Sequence, residues 1–176
     1  MCAALYAEAN RSTPVGASSE TLVIGVGNDD RGDDAFGLMV ARHIASRAIP
    51  GVTVLTEQRE GTALVSAWEQ SSASVFILID AMSSGTQPGK VVRLEVEAQN
   101  FTTRDFLAST HGIGVEQAIE LARALGVLPP RLVLYLVEGE QYELGVGLSV
   151  AVEAAIRPVC DAVCREIQYG YPCETS

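Results

Sequence analysis

Residues Thr21 to Ile44, TLVIGVGNDDRGDDAFGLMVARHI, constrain the fold more than any other stretch of the chain. The apolar run from Leu22 to Val26 reads as a short strand, and the glycine turn after it opens into an amphipathic helix. Phe36, Val40 and Ile44 recur every four residues along that helix, so one of its faces must be buried. Between strand and helix the turn carries Gly25, Gly27 and Asn28, then Asp29, Asp30, Asp33 and Asp34 within six residues. Like charges that close raise one another's pKa unless a cation or a basic group stands among them. Arg31 is one internal partner. We read this turn as the functional edge of a sheet.

A dinucleotide site would need G-x-G-x-x-G at this point, its third glycine letting the helix pack close while the helix N-terminus faces pyrophosphate. Here Asp30 takes the third glycine's place, and the carboxylates around a helix start would repel phosphate. No G-x-x-x-x-G-K-[ST] occurs in the chain. The turn is therefore built for something other than a phosphate.

The remaining chain repeats the strand–helix alternation. The spacing predicts strands at about 21–27, 52–56, 74–80, 90–97 and 131–138, and helices at about 33–48, 61–70, 114–125 and 150–168. Ser74 to Asp80, SVFILID, is the most hydrophobic segment and reads as a central strand buried on both faces and ending in a carboxylate. Val115, Ala118, Ile119 and Ala122 form the stripe of the third helix. Ser149 is placed to N-cap the last helix, and Pro158 is expected to kink it. Five strands and four helices in near-alternation predict an α/β fold, a three-layer α/β/α sandwich around a mostly parallel five-stranded sheet. The expected organisation is a flexible N-terminal tail over 1–20, a single domain over 21–170 and a C-terminal tail over 171–176.

An apolar content of 48% in 176 residues supports a real core, and a net charge of −10 excludes nucleic acid as a partner. No apolar run approaches the roughly 18 residues of a membrane span, and no basic-then-apolar leader pattern is present. The expectation is a cytoplasmic protein with no membrane partner. Cys2, Cys160, Cys164 and Cys173 are expected to be reduced thiols, and the spacing of Cys160 and Cys164 suits one helix face.

Chemistry-bearing residues outside the acidic turn are few. His43 falls inside the first helix and suits packing or the surface. His111, between Thr110 and Gly112 after a long loop, is suited to ligation. Asp80 would be costly to bury unpaired at the end of an apolar strand. In a parallel sheet the acidic turn, Asp80 and the loop carrying His111 can all reach the carboxyl-terminal edge, where ligands bind. Carboxylates with one imidazole suit Ni, Zn, Fe or Mn. No G-x-S-x-G or H-E-x-x-H competes, and no cysteine lies near His111.

On these residues the chain resembles the nickel–iron hydrogenase maturation endopeptidases. The matching pieces are VIGVGNDDRGDDAFG at 23–37, EGTA at 60–63, ILIDAM at 77–82, STHGIG at 109–114 and GVGLSVAVEAAIRP at 145–158, in the family's order. The resemblance implies a metal-contacting trio of a Glu or Asp, an Asp ending the central strand and a His, which fall here on Asp34, Asp80 and His111. Asp34 is one methylene shorter than the Glu many members carry, and Arg31-Gly32 stands where members vary. It further implies an endopeptidase of aspartyl type acting on a hydrogenase large-subunit precursor. The precursor's short C-terminal extension is removed once nickel is loaded, and the trio recognises that nickel, presented by the substrate rather than permanently bound. Two other readings fit the residues alone: a non-catalytic metal-dependent binding or chaperone module, and a small-molecule metallohydrolase with its own ion.

Overall fold

The computed structural model describes residues 20–56, 61–96 and 114–169. Its elements follow the chain as β1 (Thr21–Gly25), a short 3-10 helix (Gly32–Ala35), α1 (Phe36–Ser46), β2 (Val52–Leu55), α2 (Gly61–Gln70), β3 (Val75–Met82), β4 (Val91–Val96), α3 (Val115–Leu125), β5 (Leu132–Glu138) and α4 (Val150–Tyr169). The strands form one sheet in the order β2-β1-β3-β5-β4. All neighbours run parallel except β4, which pairs antiparallel with β5. The SVFILID segment is thus the middle strand, as its unbroken hydrophobicity requires.

Period-two alternation sends the buried strand residues to two separate cores. Leu22, Ile24, Phe76, Leu78, Leu132 and Leu134 pack on one face with Leu64 and Trp68 of α2 and Ala118, Ile119 and Ala122 of α3. Val23, Ile77, Ile79, Val133 and Val137 pack on the other with Phe36, Val40 and Ile44 of α1 and Val152, Val159 and Val163 of α4. The result is the three-layer α/β/α sandwich. α4 runs through Pro158 as one element, and Ser149 caps it, its Oγ accepting from the amide of Val152 at 3.3 Å. Among the described residues no helix is long and apolar enough to cross a membrane. The expected tails, save Glu20, lie outside the described residues, as does the loop carrying His111.

Topology places one crevice. From β1 the chain passes through α1 to β2 on one side, whereas β3, the other neighbour of β1, is reached through α2 on the opposite face. The β1/β3 junction is therefore the point at which connections diverge, and the carboxyl ends of the strands leave a gap there.

Candidate active site at the carboxyl edge of the sheet

Close packing builds this edge. The amide of Val26 donates to Ile79 O at 2.9 Å, carrying the β1/β3 pairing one residue beyond β1. A Cβ at Gly37 would lie 2.3 Å from both Ile79 O and Val26 O, and one at Gly25 would lie 2.3 Å from Gly37 O. Only glycines let the first turn of α1 sit so near the two strands. Gly27, at φ 133°, takes a conformation closed to other residues, and a Cβ there would overlap the Asp34 carbonyl at 1.8 Å. Gly37 thereby does the helix-packing work of a third glycine from a later position. The acidic turn is pressed over the end of β3, beside Asp80.

The four carboxylates of the turn have separate fates. Asp29 is exposed and paired with Arg42 of α1, the guanidinium Nη1 donating to Oδ1 at 2.6 Å. That hydrogen bond holds its pKa below the ordinary value. Asp30 is exposed, and its amide donates to Asn28 Oδ1 at 2.9 Å. Asp33 is fully buried and accepts three backbone amides, from Glu140 at 2.8 Å, Gln141 at 3.1 Å and Ser149 at 2.7 Å. The N-cap of its own 3-10 helix is Arg31, with no side-chain capping bond. The Asp33 carboxylate instead ties the acidic turn to the β5–α4 loop, because that loop turns inward with amides lacking helical or sheet partners.

Asp34 and Asp80 are each partly buried. Asp80 does not end its strand, which continues to Met82 in pairing with β5. It stands where β1 has left the sheet and β3 has not. Its Oδ1 accepts the amide of Ala81 at 2.8 Å. Burial pushes the Asp80 carboxyl up to about 7, the Ala81 bond opposes this, and the negative charge of Asp34 adds to it. The two aspartates therefore act on each other electrostatically, with less water than a free carboxylate would have. Such a pair is stabilised by a cation or by a shared proton.

Two more groups surround the pair that were not singled out from sequence. Glu138, at the end of β5, is buried and accepts from the amides of Ser84, Gly85 and Thr86 and from both hydroxyls of Ser84 and Thr86. Burial pushes its pKa up, but these donors outweigh it and the net shift is downward. Tyr142 donates its hydroxyl to Met82 O at 2.7 Å, and its pKa is raised by burial and then by Asp33, Glu138, Asp80 and Asp34. The sequence signal for Glu138 was available, since RLVLYLVE closes on a carboxylate just as ILID does.

His111 lies outside the described residues. Gly114, the first described residue after it, N-caps α3. Asp80 alternates with Phe76 and Leu78 onto the face that α3 covers. α3 is 11 residues long and returns through a short link to the start of β5, so its N-terminus points to the Asp80 edge. His43 is exposed on α1, with Nδ1 2.8 Å from Met39 O, and takes no part in this edge. Cys160 and Cys164 are buried free thiols inside the α1–α4 layer. Burial pushes the Cys160 thiol up to about 11. Among the described residues no group of three or more His, Cys, Asp and Glu is placed to hold a metal ion.

Comparison with known proteins adds a relationship. Residues 40–166 match the family described as hydrogenase maturation protease, a span that opens after Asp34 and includes Asp80 and His111. The hydrogenase expression/formation protein HupD of Bradyrhizobium diazoefficiens is 34% identical over 149 residues, covering 82% of this chain and 76% of that protein. The hydrogenase 2 maturation protease of Escherichia coli is 30% identical over 147 residues, covering 81% and 87%. Among solved structures, the hydrogenase maturating endopeptidase HybD from E. coli superposes with a TM-score of 0.69 at 25% identity, over 86% of this chain and 93% of that one.

Proposed function

The chain belongs to the hydrogenase maturation protease family, and from that membership we propose that it removes the C-terminal extension of a nickel-loaded hydrogenase large-subunit precursor. In this reading Asp34, Asp80 and His111 are the ligands that meet the nickel carried by the substrate. The family are peptide-bond hydrolases, so the reaction class follows from membership. The substrate, the cleavage point and the ligand roles are the proposal. A net charge of −10 and reduced buried thiols suit a cytoplasmic enzyme with no nucleic acid partner.

The observation that supports this most is the Asp34–Asp80 pair at the diverging β1/β3 junction. Neighbouring Asp33 and Glu138 are supplied with amide and hydroxyl donors, whereas Asp80 has one amide and a like charge beside it. A divalent ion arriving with the substrate would offset that repulsion and hold both carboxylates ionised. Nickel accepts carboxylate oxygen and imidazole nitrogen alike, so His111 completes a donor set of the right kind. The loss of desolvation energy in the empty site would then be returned when loaded precursor binds. An unloaded precursor would offer no such return, which makes the site a checkpoint as well as a cutting edge.

The test is cleavage of nickel-loaded and nickel-free precursor by the parent, Asp34→Asn, Asp80→Asn, His111→Ala and His43→Ala. The expected result is cleavage of loaded precursor only, lost or reduced at least 100-fold in the first three variants (about 2.7 kcal/mol of barrier) and near parental in His43→Ala. Equal cleavage of nickel-free precursor by the parent would remove the checkpoint. Full activity of folded His111→Ala would remove that ligand assignment, and binding without any cleavage would favour a chaperone module.

A further inference from the structure

The β5–α4 loop presents an apolar surface beside the acidic turn. Leu144 is 70% exposed, Val146 38% and Val150 84%. These are three of the six large hydrophobics left exposed among the described residues, gathered within seven positions; the others lie on α3 and at the end of α4. Single exposed apolar residues are ordinary, but a local group of them marks a contact surface.

This loop is not loose. The amide of Gly145 donates to Asp30 O at 2.8 Å, that of Gly32 to Val146 O at 3.2 Å, and that of Asp33 to Gln141 O at 2.8 Å. The buried Asp33 carboxylate adds three bonds from the loop's own amides. A Cβ on Gly32 would lie 2.4 Å from Gln141 O, so the two segments touch along their backbones. Leu144, Val146 and Val150 are therefore held in fixed register with the turn that carries Asp34. A side chain locked into water in this way gains nothing in the free protein.

The loop's own charges have one sign, with Arg31 as the basic residue of the adjoining turn. Glu140, Glu143 and Glu153 are exposed, Asp30 is exposed across the backbone contact, and no Lys or Arg occurs between positions 132 and 156. We propose that this loop is the docking surface for the precursor, taking a patch on it that is apolar and flanked by Lys or Arg. The inference rests on the precursor being the substrate. It adds a second contact, away from the metal, that carries affinity and orients the extension. Acidic residues at the rim would speed encounter and reject acidic surfaces, while the apolar side chains supply the buried centre.

The experiment measures the Kd of labelled nickel-loaded precursor for the parent, Leu144→Ser/Val150→Ser, Glu140→Lys/Glu143→Lys and a control, Leu121→Ser/Leu125→Ser on α3. Cleavage is followed in parallel, with circular dichroism confirming folding. We expect about tenfold weaker binding in the first two variants. KM should rise and kcat at saturating precursor should stay parental. The control should match the parent, and parental binding should weaken as salt is raised. Parental Kd in the Leu144/Val150 variant would overturn the docking surface while leaving processing untouched. If the parent binds precursor through this loop but does not cleave it, the docking surface stands and the processing reading falls. Absence of any precursor binding by the parent would overturn both.

Discussion

Two carboxylate sites in this protein, one buried and one partly buried, are built to opposite ends. Glu166 of α4 is buried toward the amino-terminal end of β5, and its oxygens accept from Arg93 at 2.9 and 3.0 Å, from Arg131 at 2.6 Å and from Tyr135 at 3.0 Å. Burial pushes its pKa up, yet the two guanidinium groups and the phenol overcome this and hold it low. Asp80, near the opposite end of the sheet, has one backbone amide and a neighbouring aspartate, and it is pushed up to about 7. The chain is thus able to neutralise a buried acid with arginines and does so where only structure is needed. Among the described residues Asp80 has no arginine partner, which is consistent with a site that waits for a cation from outside.

The largest loss should come from breaking the satisfied site. Glu166→Gln leaves Arg93 and Arg131 facing an amide while both keep their pairs with Glu95, and we expect a loss of about 3 kcal/mol in urea unfolding, the lower end for a broken buried pair. Cleavage at saturating precursor should be near parental in the folded fraction. A loss below 1 kcal/mol would mean the network is decorative.

Asp80→Asn should move the other way. The folded-state pKa of Asp80 lies above its ordinary value of 3.8, so the native state holds a proton that the unfolded chain gives up between about 4 and 7. Stability from this group is therefore highest below pH 4 and falls as pH rises through 7, by up to about 4 kcal/mol in total. The asparagine variant should be more stable than the parent at pH 8, equal to it near pH 4, and inactive. Glu166 has the opposite sign: its pKa is lowered from 4.5, so its contribution is present above that value and lost as pH falls below it. Unfolding free energies of parent and both variants from about pH 2 to 8 check the two slopes, and parallel curves for Asp80→Asn and the parent would break the contrast.

A smaller effect is expected at Asp33, the satisfied carboxylate nearest the candidate site. Asp33→Asn turns a donor toward the amides of Glu140, Gln141 or Ser149, which should cost about 2–3 kcal/mol and loosen the β5–α4 loop. Faster amide exchange at residues 140–149 would be the readout. The smallest effect should come from Arg42→Ala, since its pair with Asp29 is solvent-exposed and worth about 0.2–1 kcal/mol. A larger loss would show that Asp29 does more than sit at the surface.

Sequence alone determined the layers of this protein. Unbroken hydrophobicity in VFIL made β3 central, four-residue spacing of Phe36, Val40 and Ile44 selected the buried face of α1, and alternation of the two element types set a mostly parallel sheet. These are local periodicities, readable because burial depends only on which way each side chain points. Asp34 and Asp80 were also legible as candidates, by their position after β1 and on β3, and the structure brings these two together; His111 lies outside the described residues. What tertiary structure decided was the role of each acid. Asp33 and Asp34 are adjacent and chemically identical, yet one is closed off by amides from residues 140–149 and the other lies close enough for its charge to raise the pKa of Asp80. Glu138 and Asp80 both stand near the carboxyl ends of apolar strands, yet only Glu138 meets the Ser84–Thr86 turn. A carboxylate's pKa and partners depend on which distant backbone groups arrive beside it, and no spacing within a single segment encodes that.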